Sequence, residues 1–193
     1  GVEHGNAEFR KRVLGRNVTN KQIIDGLNIV HEVGIPFSVN NIIGFPEETY
    51  ELAFETIELN RKIPADDRNA YPFTPFHGVP LRKTCDELGL TNYEDIVESF
   101  VASGSILDMP QFPKEKVDGL CKTFNFYVSF PKSRWPDIKK SEGNSKESEK
   151  IYSELKDEFT SKYLFKDYTS NGNPMDTVDS VFHELPIGMG KMS

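Results

Sequence analysis

Apolar and polar positions along the chain sort into a short series of strands and helices. Residues 37–43 read Phe-Ser-Val-Asn-Asn-Ile-Ile and end abruptly in Gly44-Phe45-Pro46. A nearly continuous apolar run of this length predicts a strand covered on both faces, as in parallel sheets flanked by helices. Asn40 and Asn41 interrupt it, and a polar side chain in such a strand must find a partner or serve a site. Before this strand, Asn6 is placed to cap a helix through Phe9, Val13 and Leu14, with Ala7 and Glu8 in its opening turn. A second helix opens on Thr19-Asn20-Lys21-Gln22, a capping-box spacing, and carries Ile23, Ile24, Leu27 and Val30 at helical intervals up to a stop at Gly34.

After the strand, Glu47, Glu48 and Glu51 suit the positive end of a third helix, and Arg61 and Lys62 suit its negative end. Its buried stripe is Leu52, Thr56, Leu59 and Ile63, with Ala53 and Ile57 beside it. Val2 and its neighbours read as the end of a further strand, so residues 1–63 alternate strand and helix. That alternation predicts a parallel α/β arrangement. Residues 69–76 predict the next strand, which Pro72 and Pro75 restrict to an edge, a first strand position or a bulge. A short helix then runs to Gly89.

Beyond Gly89 the period becomes wholly helical. Ile96, Val97, Phe100 and Val101 fit one helix. Residues 107–113 are a loop punctuated by proline, and Pro113 suits the first position of the next helix. On that helix Val117, Leu120, Cys121, Phe124, Tyr127 and Val128 share a face, until Pro131 and Pro136 break it. By composition residues 140–150 read as a solvated linker. Ile151, Leu155, Phe159 and Tyr163 then recur every four residues, and the Asn/Gly/Pro content beyond Asp167 predicts a loosely ordered tail, in which residues 178–185 are apolar enough to dock. The expected organisation is 1–90 α/β, 91–166 a helical extension and 167–193 a tail.

The chain has 193 residues and a net charge of −7, which argues against a general nucleic-acid surface. No apolar run approaches the roughly 18 residues of a membrane span, and no signal peptide is visible, so a cytoplasmic protein is expected. Cys85 and Cys121 are too far apart to suggest a disulfide framework or a metal knuckle, and His77 has no neighbour at metal-ligand spacing. The chain opens at Gly1, inside what reads as a strand, so a piece of a longer protein is expected.

Three stretches together carry a resemblance. Gly1-Val2-Glu3-His4-Gly5, followed by Val13-Leu14-Gly15-Arg16, is similar to the fourth strand and helix of radical S-adenosylmethionine enzymes. Asn40-Asn41-Ile42-Ile43-Gly44-Phe45-Pro46-Glu47-Glu48-Thr49 resembles their fifth strand and its turn. Phe73-Thr74-Pro75-Phe76-His77-Gly78-Val79-Pro80-Leu81 resembles the sixth strand and the segment after it in the branch often associated with a cobalamin-binding domain. The resemblance implies the C-terminal half of a partial (β/α)6 TIM-like barrel, followed here by a mostly helical extension.

It also implies a parent enzyme that reductively cleaves S-adenosylmethionine at a [4Fe-4S] cluster to begin radical chemistry on an unknown substrate, with cobalamin as a further cofactor if an upstream domain holds it. The cluster sits on a C-x3-C-x2-C loop that this chain does not contain, so the chain is expected to lack the N-terminal half of the barrel and to be inactive alone, with no metal ligand of its own. By position, Glu3 and Arg16 match residues that hold the methionyl and ribose end of the cofactor. Asn40 matches a ribose contact, and the main chain near Ile42 matches an adenine contact. His4 departs from the small hydroxyl residue common at its place. No catalytic residue is assigned. The contrasting expectation is a non-catalytic α/β module that works by docking onto a partner.

Overall fold

The computed structural model describes residues 1–92 and 104–164. The predicted helix through Ile96, Val97, Phe100 and Val101 lies outside the described residues, as does the predicted tail with its segment 178–185.

The amino-terminal part follows the sequence in its helices and in the strand after them, but the strand expected around Val2 is reduced to a single bridge at Glu3. Asn6 caps α1, Ala7–Leu14, by accepting from the Phe9 N–H. Thr19 and Gln22 close the capping box at the start of α2, Asn20–Glu32. Gly34 takes φ +73 just past that helix, and the Ile35 N–H returns to the Val30 carbonyl. The first strand, β1, is Ser38–Ile43 and the second, β2, is Asp67–Pro72. They pair in parallel from Ser38 with Asp67 to Ile43 with Pro72. On the other side of β1, Glu3 makes a single parallel bridge with Asn41. The fold is therefore α/β, with a small parallel sheet of two strands among the described residues.

β2 starts two residues earlier than the composition suggests and ends at Pro72, after which the Phe73 N–H still donates to the Ile43 carbonyl at 2.7 Å; the proline lacks an N–H only on the side away from β1, as suits an edge. The helix between the strands, α3, is Tyr50–Asn60, capped by Thr49. It buries Ala53, Thr56, Ile57, Leu59 and Asn60. Gly5 lies directly on this helix: its N–H donates to Thr56 Oγ1 at 2.8 Å. A Cβ there would stand 2.2 Å from the Glu55 carbonyl oxygen and 2.4 Å from Thr56 Cα. Asn41 points to the same side, where its amide and that of Asn60 bond each other reciprocally at 2.8 and 3.2 Å. The second strand asparagine is thus a buried strand-to-helix tie, and the polar position is satisfied internally.

A short helix α4, Pro80–Glu87, follows β2 and ends at Gly89, φ +68. The carboxy-terminal helices are α5, Lys114–Ser129, α6, Trp135–Ser141, and α7, Lys146–Phe159. Pro113 precedes α5 as its cap residue, and Pro136 lies in the first turn of α6, where a missing N–H costs nothing. Pro136 therefore starts a helix and does not merely end one. Val117, Leu120, Phe124, Tyr127 and Val128 are buried as the period of α5 requires. They join Ile43, Phe45, Ala53 and Ile57 in one core.

Arg61 does not serve the end of its own helix. Its Nη1 donates toward the carbonyls of Tyr127, Val128 and Phe130 at 2.7, 2.8 and 2.8 Å, and so closes the carboxyl end of α5. The charge sign is as the sequence suggests, but the helix is a different one.

The segment 140–150 is not a linker. Ser141 and Glu142 are buried, and Ser145 caps α7. The Glu142 carboxylate accepts from Tyr50 Oη at 2.8 Å, Tyr127 Oη at 2.6 Å and Lys139 Nζ at 2.8 Å. Burial, the neighbouring carboxylate and its hydrogen bonds raise both tyrosine hydroxyls well above their ordinary range. A polar composition misleads here because one carboxylate with three donors is stable inside a core. Glu142→Ala is expected to leave two hydroxyls unmet and to destabilise the protein by about 3 kcal/mol. The denaturant midpoint of the variant measures this, and an unchanged midpoint refutes it.

Candidate functional site

The sequence places four candidate residues far apart in the chain, and the fold brings them to one cleft. Glu3, Arg16, Asn40 and Ile42 all line a cavity of about 790 Å³. It opens beside the segments that follow the strands, where Phe45, Phe73 and Phe76 contribute apolar wall. That location follows from strand geometry. Side chains alternate between faces, so Asn40 and Ile42 lie on the cleft side while Asn41 turns to α3. Ligands of parallel α/β sheets gather at the carboxyl ends of the strands for the same topological reason.

Glu3 and Arg16 form the charged end of the cleft, with Arg16 Nη1 3.2 Å from Glu3 Oε1. The Arg16 side chain is half exposed and that of Glu3 is 17% exposed, so both have capacity for a further partner. Arg16 also reaches the Gly1 carbonyl at 3.3 Å. Asn40 is exposed and its Oδ1 accepts from Asn69 Nδ2 at 3.3 Å. The Ile42 N–H is already bonded to the Glu3 carbonyl at 2.9 Å, so it is the side chain of Ile42, and not its N–H, that is open to the cleft.

Beneath the cleft lies a set of groups that local sequence rules did not find. Glu48 is fully buried and its Oε2 accepts from the Gly44 and Phe45 N–H groups at 2.6 and 2.9 Å. Its Oε1 lies 3.0 Å from His4 Nε2. The sequence reads Glu48 as a charge at the mouth of a helix, but α3 begins only at Tyr50, and the carboxylate instead closes the turn. Gly44 adopts φ +87, and a Cβ there would stand 2.8 Å from Val117 Cγ1. Arg10 is also fully buried and donates to the His4 and Val18 carbonyls at 2.5 and 2.6 Å and to Asn20 Oδ1 at 2.9 Å. Burial, with the nearby Arg16 charge, lowers its pKa. The one local signal available was Glu48 itself, a carboxylate three and four residues after two turn amides. His4 and Arg10 left no such signal: His4 meets Glu48 across 44 residues, and Arg10 meets carbonyls and an amide six to ten residues away across turns that no helical period marks.

The donor set suits an amphipathic ligand with a charged head and a planar apolar end. A carboxylate and a guanidinium stand together at one end, an amide lies between, and aliphatic and aromatic side chains line the rest. It does not suit an iron–sulfur cluster. The chain has two cysteines; Cys85 is fully buried with its thiol raised to about 11, chiefly by burial, and burial raises Cys121 further. Among the described residues no three His, Cys, Asp or Glu side chains gather as a metal site, and no helix is long and apolar enough to cross a membrane.

No protein-family model matches the chain. Several curated relatives do, over part of its length. The tRNA-2-methylthio-N(6)-dimethylallyladenosine synthase of Halalkalibacterium halodurans is 33% identical over 90 residues, covering 45% of this chain and 16% of that protein. The synthase of the same name from Anoxybacillus flavithermus is 29% identical over 89 residues, covering 45% and 17%. That of Staphylococcus saprophyticus is 27% identical over 126 residues, covering 63% and 24%. The chain thus spans less than a quarter of the length of these relatives, and its similarity is to enzymes.

Proposed function

We propose that this chain is part of a radical S-adenosylmethionine enzyme and that its cleft holds the S-adenosylmethionine. The observation that carries the reading is the gathering of Glu3, Arg16, Asn40 and Ile42 around one cavity. The partial similarity to 2-methylthio synthases supports it. On this reading the sheet and helices up to residue 90 are the C-terminal half of a (β/α)6 barrel, and the helices from α5 onward are an extension packed on it.

Each side chain has a role that its chemistry allows. Arg16 pairs the carboxylate of the methionyl group, in the forked geometry that guanidinium offers. Glu3 accepts from the ammonium or from a ribose hydroxyl. Asn40 bonds the ribose, and Ile42 packs against the base. The walls from Phe45 and Phe73 keep water from the reacting end. The cluster and S-adenosylmethionine supply the radical chemistry when bound, and the residues of this chain orient the cofactor without taking part in electron transfer. In this reading the thiolates that hold the cluster belong to the parent protein outside this chain. The reading does not extend to cobalamin, for which no cleft residue speaks.

The relatives' names specify the synthesis of a modified adenosine in tRNA. A net charge of −7 argues against a broad phosphate-binding surface on this chain, so on this reading an RNA substrate would be gripped by other parts of the parent. The test is a titration of the isotopically labelled chain with S-adenosylmethionine, followed by nuclear magnetic resonance. Weak binding that moves the Glu3, Asn40 and Ile42 signals is expected. Arg16→Ala should weaken it about tenfold, as loss of a charge-assisted bond implies. Binding that ignores these residues, or no binding, refutes the assignment and favours a non-catalytic docking module.

A further inference from the structure

Glu3 is held in an uncommon conformation. Its φ is +64, and the His4 N–H returns to the Val2 carbonyl at 2.9 Å, which closes a three-residue turn around it. A γ-turn with positive φ at a side chain larger than glycine is rare and strained. Such strain persists only where the surroundings over-determine the backbone, and it collects at ligand clamps.

The surroundings here converge on His4. Its main-chain N–H closes the turn, and its carbonyl accepts from Arg10. Its ring stacks on Phe9 with centroids 4.3 Å apart. His4 Nδ1 accepts from the Asn6 N–H at 3.1 Å. That nitrogen therefore carries no proton, and Nε2 must donate to Glu48 Oε1. Glu48 in turn grips the two amides of the Gly44 turn. Both side chains are fully buried. One buried connection therefore joins the amino-terminal segment, just past the Glu3 bridge, to the end of β1, with Glu3 next to it on the cleft side.

We infer that His4 and Glu48 are positioning residues: together they fix the strained turn at Glu3 and so aim its carboxylate into the cleft. The inference rests on the cleft being the binding site, but its first readout does not require a ligand. In the 193-residue chain, nitrogen spectra of His4 should show the neutral ring with its proton on Nε2. Glu48→Gln keeps the side-chain shape but places an amide donor against either the His4 Nε2–H or the two turn N–H groups. It should shift the amide and carboxylate signals of Glu3. Leu155→Ala empties part of the core in α7, lowers stability without touching this connection, and should leave the Glu3 signals in place.

With S-adenosylmethionine as probe, Glu48→Gln should weaken binding about fivefold in the native chain and hardly at all when Glu3 is already alanine, the signature of two residues acting as one unit. A His4 proton on Nδ1, or Glu3 signals indifferent to Glu48→Gln, overturns the inference. If Glu48→Gln fails to fold, the His4 tautomer in the unaltered chain still decides. If the Glu3 signals respond as expected but S-adenosylmethionine does not bind, the positioning stands and the cofactor reading falls.

Discussion

Supplied with iron, sulfide and a strong reductant in the absence of oxygen, the 193-residue chain is expected to assemble no stable [4Fe-4S] cluster and to release no 5′-deoxyadenosine. The reason lies in its thiols. A cluster that activates S-adenosylmethionine needs three thiolates around it with one iron left open, and the chain has two cysteines in all. Cys85 is fully buried in α4, and its pKa of about 11 keeps it protonated at neutral pH. Cys121 on α5 is partly buried against the core, and burial raises its thiol further. A longer protein that adds three clustered cysteines should do both, and the Glu3, Arg16 and Asn40 variants in it should then lose cofactor affinity while retaining the cluster. Stoichiometric cluster absorbance together with 5′-deoxyadenosine from the present chain alone would refute the proposal as framed.

Gly5→Ala is expected to be the most damaging single methyl group in the amino-terminal part. The added carbon would overlap main-chain atoms of α3 at 2.2 to 2.4 Å, and neither Glu55 nor Thr56 has a flexible end there that can yield. The helix would have to move away, which breaks the Gly5 N–H bond to Thr56 and loosens the Asn41–Asn60 pair beside it. A loss of about 4 kcal/mol is expected, at the severe end for overpacking. Gly26 provides the contrast. It is exposed on α2 with nothing within 4 Å of the added carbon, so Gly26→Ala should stabilise slightly through helix propensity. Equilibrium denaturation of the two variants side by side measures both effects. Similar midpoints would mean that the contact at Gly5 is not as tight as described.

The parts of the fold that were legible in the sequence are those that rest on neighbours along the chain. Asn6 and Thr19 announce their helices because a cap is a bond across three residues. The face of α5 is legible because a buried helix repeats its apolar residues at a fixed period. Glu48, Arg61 and Glu142 were assigned by local rules to a helix mouth, a helix end and a solvated linker. Each instead meets partners brought in by the fold: Glu48 meets His4 across 44 residues, Arg61 meets α5 across 66 to 69, and Glu142 meets Tyr50 across 92. A single polar residue has no period, so nothing in the surrounding pattern marks a distant partner. The cleft was legible in a different sense. Motif order suggested Glu3, Arg16, Asn40 and Ile42, and the strand alternation explains why the Asn40 side chain is exposed while that of Asn41 is buried against Asn60.

The same long separations have a consequence for synthesis. As the chain leaves the ribosome, α3 emerges with Tyr50 and Arg61 long before the groups they bind. Until Tyr127 and Glu142 have followed, the apolar side of α3 has no cover from α5 or α6, and the Arg61 guanidinium stays in water. Stalled chains ending near residue 110 should therefore be protease-sensitive around residues 50–63, and chains extended well past Glu142 should be protected there. The order in which the helices appear makes the α/β part wait for the helical part, so the two are expected to fold in one late step and not one after the other.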